Sequence, residues 1–226
     1  MSALFPKWTN HLPTIAAVAA LIGGISVVSI VGYWFSPNHT DVGYAPKQPI
    51  AYSHKLHAGL MGMDCRYCHT AVETGPHANI PATQVCMNCH APKDGAGVHA
   101  SSPEIGKLIA RYEADEPVRW EKVHLLPDYA YFHHGVHLNA GVGCASCHGR
   151  IDQMEVVRQV EPLSMGWCLE CHRDPAPHIR PDGVSVTDME WQPDDASIAA
   201  ANARLEGDLL EEGKLNPPQH CSACHR

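Results

Sequence analysis

The chain of 226 residues has no surplus of positive charge: 16 Lys and Arg stand against 24 Asp and Glu, a formal net charge of −8. That balance disfavours nucleic acid as a partner and fits a soluble acidic surface. Stretches free of helix and strand breakers are scarce, because Gly and Pro each supply 18 residues, so the chain is expected to be poor in regular structure. The one long apolar run contains no charge, and no Ala-x-Ala cleavage site follows it. Nor does any cysteine stand alone.

The ten cysteines form five Cys-x-x-Cys pairs, each followed at once by histidine: Cys65, Cys68 and His69; Cys86, Cys89 and His90; Cys144, Cys147 and His148; Cys168, Cys171 and His172; Cys221, Cys224 and His225. Two sulfurs three residues apart on one helical turn can both form thioethers to a porphyrin edge while the next imidazole reaches the iron. Zinc knuckles and disulfides also use paired cysteines, but neither chemistry asks for histidine next in line. The pattern therefore reads as five c-type haem attachment signatures, with five covalently bound haem c as cofactors.

The apolar run extends from Thr14 to Phe35, 22 residues that span about 33 Å as a helix, enough for a bilayer's hydrocarbon core. It is too long for the core of a signal peptide, so it reads as an uncleaved signal anchor. Tyr33 and Trp34 suit an interfacial belt at one end and Trp8 at the other. The expected organisation is a cytoplasmic N-terminus over 1–13, a transmembrane anchor over 14–35 and an extracytoplasmic haem domain over 36–226, since cytochromes of this type mature outside the bacterial cytoplasmic membrane. Ala16, Ala20 and Gly24 recur every four residues and would let another helix approach closely.

The fold class expected beyond the anchor is a multihaem cytochrome c, loop-rich with short α-helices and little or no β. Porphyrin faces would supply most of its core. His54 and His57 precede the first signature as His134 and His137 precede the third, which reads as a duplicated dihaem module over about 50–92 and 130–175, with the fifth haem at about 215–226. Ser102 and Pro103 open an expected helix whose Ile105, Leu108, Ile109 and Tyr112 share one side. A second is expected from Asp194 or Asp195 through Leu209 and Leu210, ended by Gly213 and Pro217.

What lies across each iron decides between an electron carrier and a catalyst. His54, His57, His134 and His137 are the leading candidates for distal ligands, because imidazoles three residues apart can point at two neighbouring haems. His77, nine residues before Cys86, is a further one, but the equivalent position in the second module is Gln159. Met165, three residues before Cys168, or His124 could serve there, and a thioether ligand would raise that haem's potential. His133 is expected to face solvent.

The stretch Ile50 to His69, with Tyr52, Ser53, His54 and His57 ahead of its signature, resembles the class III multihaem cytochromes. Trp120 to His172, with Val123-His124, Leu126-Pro127-Asp128-Tyr129, Tyr131-Phe132, Gly141-Val142-Gly143-Cys144 and Pro162-Leu163-Ser164-Met165-Gly166-Trp167-Cys168, is similar to the pentahaem cytochrome c subunit of alternative complex III. That resemblance implies a subunit of a quinol-oxidising respiratory complex in the bacterial inner membrane. Its partners would be an iron–sulfur subunit, polytopic membrane subunits and a periplasmic acceptor such as a cytochrome c or a small copper protein. An anchored tetrahaem quinol dehydrogenase is a rival, but Cys65 lies 30 residues beyond Phe35, which argues against direct quinol contact. A multihaem enzyme with one open iron is the other; it is often marked by a Cys-x-x-Cys-Lys signature, and none occurs in the chain.

Overall fold

The computed structural model describes residues 5–92, 97–206 and 213–225. The chain divides between Val42 and Gly43 into two units. In the first, a 3-10 turn over Lys7–His11 leads into α1, Leu12–Trp34, and a short α2 follows over Pro37–Thr40. Pro13 sits in the first turn of α1, where its missing N–H costs nothing. Phe35 closes the helix with its N–H on Val31 O at 3.1 Å. No residue of α1 is buried, although the helix is apolar all round. Among the described residues it is the one helix long and apolar enough to cross a membrane, about 35 Å at 1.5 Å per residue. The helix begins two residues before the expected run and ends one before it, ordinary fraying of a boundary.

Among the described residues the second unit holds eight α-helices: α3 (Cys65–Cys68), α4 (Thr83–His90), α5 (Pro103–Glu113), α6 (His134–Asn139), α7 (Ala145–His148), α8 (Met165–Arg173), α9 (Asp195–Leu205) and α10 (Cys221–Cys224). A π-type turn over Lys55–Leu60 and 3-10 turns over Ile151–Gln153 and Ala176–His178 connect them. Among the described residues there is no strand beyond two isolated bridges, Ala130 with His225 and Val142 with Ile179. The described residues are thus helical, loop-rich and without sheet, as expected from the Gly and Pro content.

Six of the nine buried apolar side chains among the described residues gather in two small clusters. α5 lays Leu108 against Ile50 and Met87, with Ile105, Ile109, Val118 and Trp120 around them. Tyr112, expected on the same side, is exposed. α9 sets Ala201 against Ala176 and Ile179, with Ile198, Leu205 and Leu215 beside them. Its start is a capping box: the Asp194 carboxylate accepts the Ser197 N–H at 2.8 Å, and the Ser197 hydroxyl accepts the Asp194 N–H at 2.8 Å. The helix stops at Leu205, where Glu206 turns extended; the expected continuation through Leu209 and Leu210 lies outside the described residues.

The segments around His54 and His134 make reciprocal contacts. Lys55 N–H donates to Met154 O at 3.0 Å, placing the turn after His54 on the loop beyond the third signature. Gly135 N–H donates to Gly75 O at 3.2 Å, placing α6 on the loop beyond the first. Glycine is required at both docking points, because a Cβ on Gly59 would overlap Asp152 O and one on Gly135 would lie 2.5 Å from Glu73 O.

Candidate haem attachment sites

Each Cys-x-x-Cys pair falls on a single helical turn, within α3, α4, α8 and α10 and at the cap of α7, where Cys144 precedes the helix. Local chemistry starts these turns. Asp64 caps α3 by accepting the Arg66 N–H at 2.8 Å, and the Arg66 guanidinium beside it holds the Asp64 carboxyl down at about 2. Ser164 caps α8 through the Trp167 N–H at 3.2 Å. The loop at α7 is braced by Arg180, which is 2 % exposed, stacks over Trp191 at 4.8 Å and donates to Asp188 O at 2.7 Å. Its guanidinium fills the space a side chain on Gly143 would need. None of the ten cysteines is in a disulfide. Among the described residues, no three His, Cys, Asp or Glu converge as a metal cluster would.

The histidines show a common hydrogen-bond pattern. His69, His90 and His172 set Nδ1 on the backbone oxygens of Asn79, Val98 and Pro218 at 2.6, 2.7 and 2.7 Å, and His225 sets its own on Tyr129 O at 3.3 Å. His57, His134 and His137 do the same with Ser53, Pro76 and His133, at 2.8, 2.8 and 2.9 Å. A carbonyl can only accept, so Nδ1 carries the proton and the lone pair is left on Nε2, the tautomer that binds a metal.

Ring positions bear directly on the fit of an iron. Two imidazoles sharing one metal through Nε2, at about 2 Å on each side, have ring centres roughly 6 Å apart. His57 and His90 stand 6.3 Å apart, and His137 and His172 stand 6.1 Å apart. The spacing therefore fits an iron at each of these two pairs. Tyr52 stacks on His57 at 4.5 Å and meets His54 edge-on at 4.9 Å; Phe132 stacks on His137 at 4.6 Å and meets His134 edge-on at 4.7 Å. These aromatic braces went unassigned in the sequence reading, although Tyr52 and Phe132 occupy the same place in the two repeats.

Other candidates are placed differently. His124 packs on His148 with ring centres 4.4 Å apart, about 2 Å closer than two ligands of one iron. Buried nitrogens without partners mark this region: His148 Nδ1, His54 Nδ1 and His124 Nε2. Burial, with other histidines nearby, pushes His54 down to about 4 and His148 to about 3, so both are neutral at pH 7 and retain a lone pair for a metal. His77 is exposed and lies beside His134. Met165 is 65 % exposed at the start of α8. His133 differs from expectation: it is half-buried, and its Nδ1 accepts the Val136 N–H at 3.3 Å, capping α6.

Five such turns in a loop-rich helical unit, with one apolar N-terminal helix, define the class as a multihaem c-type cytochrome. The chain is similar to the menaquinone reductase multihaem cytochrome c subunit of Nitratidesulfovibrio vulgaris (strain Hildenborough), 35% identical over 127 residues. The match covers 55% of this chain and spans about half, 56%, of the relative's length. No protein-family profile matches the chain.

Proposed function

We propose that the chain is a membrane-anchored pentahaem cytochrome that relays electrons in a quinone-linked respiratory complex. The observation that carries this reading is the pair of ring separations, 6.3 Å for His57 and His90 and 6.1 Å for His137 and His172, which gives the irons at His90 and His172 a second protein ligand and no open face. Haem c held in this way supplies a one-electron couple whose potential the axial ligands set. Cys65, Cys68, Cys86, Cys89, Cys144, Cys147, Cys168, Cys171, Cys221 and Cys224 hold the porphyrins, and His69, His90, His148, His172 and His225 are the proximal ligands.

By the register of the repeat, His54 faces the iron at His69 and His134 the iron at His148; His69 lies near His54, and His134 lies near His148. His77, His124 and Met165 are the candidates for the iron at His225. Met165 is favoured, because α8 is tied to the fifth signature through Pro218 O on His172 Nδ1 at 2.7 Å and Gln219 Nε2 on His172 O at 3.2 Å.

The finer reading is the pentahaem subunit of alternative complex III, with α1 in the inner membrane, the haem unit on the periplasmic side, an iron–sulfur subunit and polytopic subunits as neighbours, and a small cytochrome c as acceptor. The relative's name, menaquinone reductase, favours a second reading in which electrons run toward the quinone. The purified complex separates the two. Reduction of its haems and of soluble cytochrome c by added quinol supports the first; reduction of menaquinone by reduced cytochrome, without quinol oxidation, assigns the second. Absence of both activities in a complex carrying all its haems would remove the relay.

A further inference from the structure

The five attachment turns do not meet in chain order. The second meets the first, where Asn88 Nδ2 donates to Tyr67 OH at 3.0 Å, joining α4 to α3. Tyr52 lies beside Cys86 and also beside Cys65 and Cys68, so one ring borders both sites.

The first turn then meets the third. Cys65 and Cys144 lie next to each other. The segment 186–187 bridges the same two turns: Cys144 N–H donates to Val186 O at 3.0 Å, and the Thr187 hydroxyl donates to Asp64 Oδ2 at 3.3 Å. The reciprocal docking of the repeats, Lys55 on Met154 and Gly135 on Gly75, closes around this junction.

The third and fourth turns are joined through α6, since Val142 N–H donates to His137 O at 3.0 Å and the His137 ring faces His172. Cys147 also neighbours Cys168 and Cys171. The fourth meets the fifth through Pro218 and Gln219, both bonded to His172, and Cys168 neighbours Cys224.

Exposure agrees with a linear arrangement. Eight of the ten cysteines are half-buried; the two exposed ones are Cys89 and Cys221, one in the second turn and one in the fifth.

We propose that the five haem sites form one row in the order second, first, third, fourth, fifth, whose two ends, at Cys89 and Cys221, are its surface access points. The proposal rests on the pentahaem reading. It means that the modules meet through their first sites, so the second site is an end although it lies second in the chain.

The test compares potentiometric titrations of two variants in the haem-loaded protein. One lacks the first haem (Cys65→Ser with Cys68→Ser) and the other lacks the second (Cys86→Ser with Cys89→Ser). Neighbouring haems shift each other's midpoints through their charges. Loss of the first haem is expected to move two of the remaining four midpoints, and loss of the second only one. The reverse counts, or equal counts, overturn the row. Where either variant fails to mature, a density map of the native haem-loaded protein decides. An iron at His69 lying between those at His90 and His148 supports the order; an iron at His90 lying between those at His69 and His148 overturns it. Mass analysis of the same samples separates this outcome from failure of the pentahaem reading, which would show as too few haems in the unaltered chain.

Discussion

Replacement of Gly135 by alanine tests whether the two repeats are locked together as described. The new Cβ would stand 2.5 Å from Glu73 O and 2.9 Å from Glu73 C, both backbone atoms, whereas ordinary contact begins at 3.4 Å. Neither atom belongs to a flexible side chain, so α6 or the loop beyond the first signature must move by close to 1 Å. Overpacking of this kind costs about 1–3 kcal/mol. Alanine returns up to about 1 kcal/mol of helix propensity, while weakening the Gly135–Gly75 hydrogen bond costs about 1 kcal/mol. A net loss of about 1–3 kcal/mol follows. The assay is guanidinium unfolding of the haem-loaded protein, followed by near-ultraviolet circular dichroism. Gly106→Ala in α5 is the control, because nothing lies within 4 Å of its Cβ, and it should be neutral or stabilise by up to about 1 kcal/mol. Equal stability of the Gly135→Ala and Gly106→Ala proteins would refute the close approach of α6 to the first module.

His57→Gly should convert one haem to a high-spin form in the electron paramagnetic resonance spectrum, and added imidazole should restore the low-spin signal; an unchanged spectrum would remove His57 as a ligand. Met165→His should lower one haem midpoint, since a thioether holds the potential above that of a second imidazole, and five unaltered midpoints would strike Met165 from the ligands. Leu108→Ala, in the cluster with Ile50 and Met87, should cost about 2–4 kcal/mol in chemical unfolding; a loss below about 1 kcal/mol would mean that α5 is not packed on α4. The ion pair of Arg66 with Asp64 at 2.8 Å is solvent-exposed on both sides. Its contribution is therefore at most about 1 kcal/mol, present above the ordinary carboxylate pKa and lost as pH falls from there through about 2, where the folded Asp64 titrates. Asp64→Asn should abolish that part of the acid dependence, and an unaltered acid limb would contradict the assignment.

Much of the fold was legible because its determinants are local. A charge-free run needs no partner to become helical, and α1 follows it to within two residues. Pro103 at the first helical position and Asp194 as a capping residue mark helix starts through chemistry confined to a few residues, and both helices begin there. Cysteine spacing likewise places each pair on one turn whatever surrounds it. Across-chain contacts were not legible. No local signal tells His57 to face His90, or His124 to pack on His148, because these depend on how two loops dock. The role of Arg180 was hidden as well, since its guanidinium is fitted to a glycine 37 positions earlier. His133 was misjudged for a related reason: its capping bond to the Val136 N–H exists only once α6 has formed.

The number of porphyrins bonded to the chain tests the pentahaem relay most directly. Intact mass measurement of the mature protein, denatured so that only covalent groups remain, should give the polypeptide plus five haem increments. Fewer than five, or metal ions released from the paired thiols on denaturation, would contradict it.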